Sequence, residues 1–126
     1  MSELKYSEDH EWLRVDDDTT VTIGITDFAQ KQLGDVVYVE LPEIGQQVTK
    51  DEDAAVVESV KAASDLKAPV SGTVLEINSL LSDEPEKVNT DPTGEGWFLK
   101  LKLDNAEELE QLMTEEEYTT FISDLS

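Results

Sequence analysis

Lys61 is the residue of this chain best placed to take part in chemistry, through covalent modification of its amine. It lies in the segment Val57-Glu58-Ser59-Val60-Lys61-Ala62-Ala63-Ser64-Asp65, between two runs rich in small and β-branched residues. This pattern predicts two strands joined by a tight turn, with Lys61 at or beside its tip. An enzyme can reach a lysine at that position. The simpler alternative is a solvated charge that keeps a strand edge soluble.

The other residues with catalytic or metal-binding potential form no recognisable set. The single histidine, His10, has no nucleophile motif beside it, and no metal-ligand spacing is present. A structural role for His10 is therefore the favoured interpretation. The chain has no cysteine, which excludes disulfide scaffolds and cysteine metal sites. Any chemistry must then come from an attached group, for which the protein supplies position and environment.

The charge of the chain restricts its partners. Thirty acidic against nine basic residues give a formal net charge of −21. Binding to nucleic acid or to an anionic membrane needs lysine and arginine, so both are disfavoured as partners. Proteins with basic faces are favoured, because opposite charge speeds their encounter. The alternative is that the acidic residues serve only solubility.

Length and composition predict one globular domain over residues 1–126. With 38% hydrophobic residues, the chain can bury a modest core. No stretch is long and apolar enough to cross a bilayer, and the start shows no signal region or arginine-rich presequence. The expected location is the cytoplasm, or the mitochondrial matrix for a matured eukaryotic protein.

Alternating apolar residues predict strands in the first half of the chain. Residues 11–15 and 20–25 are expected to form a hairpin around a turn at 16–19. Thr26 is predicted to cap a short helix over 27–33, and Gly34 to end it in the left-handed conformation. Residues 35–41 are predicted to be a regularly alternating strand.

The second half is predicted to contain two further strands, over 73–77 and 97–103, with a mostly irregular segment holding one short helical turn between them. Two helices are expected over about residues 105–125. Asn105 with Glu108, and Thr114 with Glu117, have the spacing of capping boxes. Tyr118, followed by three apolar residues at helical spacing up to Leu125, predicts a stripe that packs on the core.

Many short motifs, in register along nearly the whole chain, resemble the H protein of the glycine cleavage system. The hairpin motif is Glu58-Ser59-Val60-Lys61-Ala62 followed by Ala68-Pro69-Val70-Ser71-Gly72. The others are residues 6–12, 23–27, 29–30, 33–35, 39–42, 45, 88–89, 91–92, 94–97, 107–109 and 117–118.

The resemblance implies a mainly β, barrel-sandwich hybrid fold of the lipoyl/biotinyl-carrier type, with a short internal helix and two C-terminal helices. It implies a non-catalytic carrier with lipoate amide-linked to Lys61. The lipoyl group would receive an aminomethyl group from a pyridoxal-phosphate-dependent glycine decarboxylase. It would present that group to an aminomethyltransferase and be reoxidised by dihydrolipoyl dehydrogenase. The absence of cysteine fits a dithiol carrier, since no protein thiol can exchange with it.

The resemblance also suggests roles for the residues around the lysine. Glu58, Ser59, Val60 and Ala62 are expected to let a lipoylating enzyme recognise the hairpin. Glu11 and Asp65 are expected to protect the loaded arm, because a carboxylate near a cationic amine favours its charged form. For any single acidic residue, the alternative is an ordinary solvated carboxylate.

Three positions depart from the usual family pattern. Glycine is usual where Asp51 and Ala55 stand, and Asp51 is expected to keep a left-handed bend at modest cost. Histidine is frequent where Phe28 stands, so any contribution of that histidine to a cleft is missing in this chain.

Two other functions remain open at this stage. A lipoyl-relay protein would keep the fold and Lys61 but only pass lipoyl groups to other complexes. A biotin carrier would use a related hairpin, but such carriers usually have methionine on both sides of the lysine, where Val60 and Ala62 stand here.

Overall fold

The strands of this protein form two antiparallel sheets in a computed structural model that describes residues 3–17 and 19–125, without the side chains of Glu3 and Leu125. Asp18 of the predicted turn, the side chain of Leu125 in the predicted stripe, and residues 1, 2 and 126 of the predicted domain lie outside the described residues. The strands are β1 (Glu3–Tyr6), β2 (Glu11–Val15), β3 (Thr20–Ile25), β4 (Val36–Glu40), β5 (Gln47–Val48), β6 (Asp53–Ser59), β7 (Ala63–Lys67), β8 (Gly72–Ile77) and β9 (Leu99–Leu103). In the larger sheet the strand order is β1-β2-β3-β9-β8-β5, and in the smaller it is β4-β6-β7.

The main core joins both sheets, as expected for a sandwich. Ile23 and Leu99 from the larger sheet belong to the same buried cluster as Val39, Val57 and Leu66 from the smaller one. The inward positions predicted for Val21, Ile23 and Ile25 are confirmed, because all three belong to this cluster. Thr22 and Gly24 between them are buried too, since the other face of β3 is also covered. The expected mainly β, barrel-sandwich fold is therefore confirmed.

A second, smaller core covers the other face of β2. Trp12 is buried with Tyr6 and Tyr118, and the rings of the two tyrosines stack 4.6 Å apart. Tyr118 belongs to the C-terminal helix, so this helix closes the outside of the larger sheet. Both faces of β2 are buried as a result.

The regular alternation predicted for residues 35–41 is wrong. Val36 and Val39 are buried, whereas Val37 and Tyr38 between them are exposed. The pairing register explains the difference, because Val36 pairs with Ser59 and the next pair is Tyr38 with Glu58. Val37 is therefore an extra residue, a β-bulge that the alternation of apolar residues could not reveal.

Three helices lie in the connections between strands, and two follow the last strand. They are α1 (Asp27–Leu33), α2 (Leu80–Asp83), α3 (Lys87–Thr90), a 3-10 helix (Ala106–Gln111) and α4 (Glu115–Leu125).

The Thr26 cap of α1 is confirmed, since its hydroxyl accepts from the Ala29 amide at 3.2 Å. The single helical turn predicted between β8 and β9 is wrong in number, because α2 and α3 both form there.

The two predicted capping boxes have different outcomes. At α4 the reciprocal bonds between Thr114 and Glu117 are confirmed. Before it lies a 3-10 helix rather than an α-helix, and Asn105 accepts from the Glu107 amide as a cap. Glu108 does not complete a box, because its carboxylate accepts hydrogen bonds from the amide and hydroxyl of Ser71.

Candidate functional site

The hairpin between β6 and β7 presents Lys61 on a short, internally bonded turn. The Ser59 amide donates to the Ala62 carbonyl at 2.8 Å and closes a four-residue turn with Lys61 in third position. The Ser59 hydroxyl oxygen accepts from the amides of Lys61 and Ala62, each at 3.2 Å. A serine at the first turn position can satisfy turn amides in this way. The lysine side chain is exposed, as predicted.

The hairpin tip is also tied to the start of β4. The Val60 amide donates to the Asp35 carbonyl at 3.0 Å. Asn89 of α3 holds this segment from the other side, since its side chain accepts from the Val36 amide and donates to the Gly34 carbonyl. The tip therefore rests on backbone that a distant asparagine keeps in place.

Gly34 leaves room for the stem of Lys61. A Cβ atom at Gly34 would lie 3.2 Å from Cε of Lys61. The backbone of Gly34 has φ 81° and ψ −160°, a region essentially restricted to glycine. The predicted left-handed ending of α1 is thus correct in the sign of φ and wrong in ψ, because the chain extends into β4 instead of curling back.

Glu11 is an acidic side chain enclosed at the start of β2. It is 2% exposed and accepts a hydrogen bond from the Ser7 hydroxyl at 2.9 Å. Burial, opposed in part by that hydrogen bond, raises the pKa of Glu11 from 4.5 to about 8. Asp9 and Asp51 repel its charged form and raise this pKa further. Near neutral pH, Glu11 therefore holds or releases its proton at little cost.

Glu11 and Asp65 line the same cavity of about 160 Å³. The pairing register sets Asp65 opposite Val56 and Ser64 opposite Val57. Directly paired residues share a face of the sheet, so Ser64 lies on the same face as buried Val57. Neighbouring residues of a strand face opposite sides. Asp65 is exposed on the opposite face of the strand.

His10 connects this cavity to the C-terminal helix. Its φ is 67°, a left-handed value uncommon outside glycine, immediately before Glu11. The His10 ring nitrogen Nδ1 and the Thr26 hydroxyl both bond the Tyr118 hydroxyl, at 2.9 and 2.7 Å. The ring of Phe28 lies 4.6 Å from that of His10. Position 28 is the one at which the family resemblance leads us to expect histidine. Burial lowers the pKa of His10. The structural role predicted for His10 matches these contacts.

A second cavity, of about 340 Å³, is also lined by Glu11. Asp51 is among its lining residues and has φ 75°, so the left-handed bend expected at this position is confirmed. Ala55 is buried in β6 and belongs to the main core.

The structure brings most of the predicted residues into two neighbouring groups. Glu58, Ser59, Val60 and Ala62 surround Lys61 at the tip, while Glu11 and Asp65 share a cavity. Sequence reasoning missed the contacts of Gly34 and Asn89 and the place of Ser64 in the lining of the cavity. Alternation from buried Val57 could have identified Ser64 once the register was known. Nothing local to Asn89 indicates that it bonds backbone more than fifty residues earlier.

Within residues 3–17 and 19–125, no cluster of histidine, cysteine or carboxylate side chains is suited to a metal ion. In the same ranges, no helix has the length and hydropathy that crossing a membrane requires.

Comparison with known proteins gives consistent matches over the whole described fold. The family model described as "Glycine cleavage H-protein" matches residues 4–125. The glycine cleavage system H protein of Psychrobacter sp. (strain PRwf-1) is 61% identical over 117 residues, covering 93% of each chain. That of Rhodospirillum rubrum is 58% identical over 125 residues, covering 99% of each. The crystal structure of a glycine cleavage system H protein from Mycobacterium marinum superimposes with a TM-score of 0.88. It is 37% identical, covering 96% of this chain and 97% of the other.

Proposed function

Since this chain belongs to the glycine cleavage H-protein family, we propose that Lys61 is the residue on which it carries a lipoyl group. The chain is a non-catalytic lipoyl carrier of the glycine cleavage system. It works with glycine decarboxylase, the aminomethyltransferase and dihydrolipoyl dehydrogenase. The exposed amine on a rigid hairpin tip is the observation that carries the assignment to Lys61.

The chemistry of the tip fits an amide-linked carboxylic acid. Lys61 is exposed, and no ion pair among the described residues involves it. Lys67, six positions later, lies on strand β7 and pairs with Asp53 at 3.7 Å. When attached, lipoate supplies a disulfide that accepts the aminomethyl group with an electron pair and is later restored by oxidation.

The residues of this chain position that group and do not themselves react with substrate. The bonds of the Ser59 hydroxyl and the Asp35 carbonyl fix the turn, so the amine of Lys61 projects from a constant point. Glycine at position 34 keeps the space beside the lysine stem free. Glu58, Ser59, Val60 and Ala62 form the surface that a lipoylating enzyme must contact first, which supports their proposed role in recognition.

We further propose that Glu11 and Asp65 hold the protonated amine of the cargo. Both residues line one cavity. A cationic amine beside buried Glu11 would favour the ionised form of its carboxyl group, and the resulting carboxylate would hold the amine. The whole chain is proposed to act as a single lipoyl-carrier domain, supported by the match over residues 4–125. A cytoplasmic location is proposed on the bacterial source of its relatives.

The attachment site is tested by treating the apo-protein with a lipoate–protein ligase, lipoic acid and ATP, followed by intact mass measurement and peptide mapping. Wild type and Lys67→Arg should gain one lipoyl mass on the peptide that contains Lys61. Lys61→Arg, which keeps the charge but offers no suitable amine, should gain none. Lipoyl mass on Lys67 in Lys61→Arg at the wild-type rate would overturn the assignment.

A further inference from the structure

Exposed large apolar side chains concentrate beside the lysine. Val37, Tyr38 and Val60 are 54%, 49% and 66% exposed. The other exposed large apolar residues within the described ranges are Ile44, before β5, and Leu75, on β8. Three of the five therefore belong to the bulged strand β4 and the hairpin tip.

These three residues lie on neighbouring backbone. Tyr38 is directly opposite Glu58 on β6, and Glu58 is opposite Ala63 on β7, so the side chains of Tyr38, Glu58 and Ala63 share one face of the smaller sheet. Val37 is the bulge residue directly before Tyr38. Val60 is tied to the residue before β4 through its bond to the Asp35 carbonyl. We call Val37, Tyr38 and Val60 the tip patch.

Carboxylates surround the tip patch. Asp35 and Glu58 are exposed next to its members in sequence or across the strands, and Glu40 is exposed two residues beyond Tyr38. The basic side chain of Lys67 on β7 does not neutralise this border, because it pairs with Asp53 at the far end of the hairpin. The patch thus has an apolar centre and an acidic border, which complements a protein surface with an apolar pocket bordered by arginine or lysine.

The β-bulge is what exposes the patch. Without the extra residue, regular alternation would place Val37 with Val39 toward the core. Bulges commonly re-aim side chains next to functional sites. Exposed aromatic residues beside a reactive group are typical of docking surfaces, where tyrosine often contributes much of the binding energy.

The position of the patch favours one occupant. Enzymes that act on the distal disulfide can work at the length of the lipoyl-lysine arm from the protein. The enzyme that forms the amide must instead bring its active site to Nζ of Lys61, and so must cover the surface around it. We propose that the tip patch is the docking surface for the enzyme that joins lipoate to Lys61. This inference rests on Lys61 being the attachment site.

The test measures the rate of lipoylation against apo-protein concentration with a purified lipoate–protein ligase. The reaction joins the carboxyl group of lipoic acid to the Lys61 amine, cleaves ATP to AMP and pyrophosphate, and releases a proton. Tyr38→Ala and Val37→Ser are compared with Ile44→Ser, which removes a similarly exposed side chain away from the hairpin. Thermal unfolding of each variant shows that the fold is kept.

The expected result is a KM for apo-protein raised about 10-fold by Tyr38→Ala, with kcat within about twofold of wild type. A 10-fold change in KM corresponds to about 1.4 kcal/mol of docking free energy. Ile44→Ser should stay within about twofold of wild type. The acidic border predicts a KM that rises with salt, and a weaker salt dependence in the Glu40→Gln/Glu58→Gln double variant.

Two results would overturn the proposal. One is a wild-type KM for lipoylation in folded Tyr38→Ala and Val37→Ser. The other is an unchanged lipoylation KM combined with a raised KM of the lipoylated variants for glycine decarboxylase, which would assign the patch to that enzyme. Failure of the attachment site itself is distinguishable, because wild type would then carry no lipoyl mass on Lys61.

Discussion

The hairpin tip and the wall around Glu11 are neighbouring parts of one site built in opposite ways. The tip is exposed, and its turn is closed by residues within four positions of each other. The wall encloses the buried side chain of Glu11 and draws on the turn before β2, on α1, on β7 and on α4. One region offers an accessible amine, while the other encloses an acid.

This difference determines what each region can do. An enzyme can reach Lys61 because its side chain is exposed at the end of a tight turn. Glu11 has a pKa near neutrality because tertiary packing removes it from water. Accessibility comes from the turn, whereas the perturbed acid needs the complete fold. Variants in the two regions should therefore differ in size of effect and in pH dependence.

The largest expected effect is the pH dependence of stability from Glu11. Its pKa is about 8 in the folded protein against 4.5 for an ordinary glutamate, so between these values the folded state binds more protons than the unfolded state. The free energy of unfolding should therefore fall as pH rises from about 4.5 to about 8, by on the order of 4 kcal/mol.

Urea unfolding at several pH values checks this prediction. Glu11→Gln, which stays neutral, should lose the downward slope and be relatively more stable at pH 8. Asp65→Asn removes an exposed carboxylate from the same cavity and should keep the wild-type slope. Parallel curves for wild type and Glu11→Gln would show that burial does not perturb Glu11.

Asn89→Ala tests whether the tip is as local as its turn suggests. The change removes partners from the Val36 amide and the Gly34 carbonyl, at an expected cost of about 2–3 kcal/mol. Hydrogen exchange at the Val60 amide should also become faster, because that amide bonds the same segment. Unchanged exchange at Val60 would mean that the tip holds its conformation independently of α3.

Tyr118→Phe tests the buried connection between α4 and the wall. Removing the hydroxyl shared by His10 and Thr26 should lower the free energy of unfolding by about 1–2 kcal/mol. The matched control is Tyr38→Phe, which removes a hydroxyl from an exposed ring and should change stability by less than about 0.5 kcal/mol. Equal losses in the two variants would contradict a stabilising role for the network.

The smallest expected effect is that of Ser59→Ala at the tip. The hydroxyl satisfies two exposed turn amides that water can also solvate, so the expected loss is about 0.5–1 kcal/mol. Nuclear magnetic resonance should show shift changes confined to the turn and its immediate neighbours. Changes that extend to Glu11 would show that the two regions are coupled more strongly than their contacts indicate.

Local features of the fold were predictable because they depend on neighbouring residues. The strands from β2 to β3, the Thr26 cap of α1, the hairpin and the capping box at Thr114 all follow from short-range periodicity and side-chain chemistry. Predictions failed where a distant contact competes. Glu108 bonds Ser71 instead of its own helix, and the bulge at Val37 interrupts the expected alternation of β4.

By itself, the sequence determined the turn that presents Lys61 and the acidic, cysteine-free character of the chain, since composition and four-residue turns are local properties. Only the tertiary structure decided that Glu11 is buried, that His10 bonds Tyr118 across 108 positions, and that Asn89 supports the tip. The physical reason is that burial and long-range hydrogen bonds exist only after separate segments pack together. A pKa or an exposed patch that depends on them leaves no local pattern.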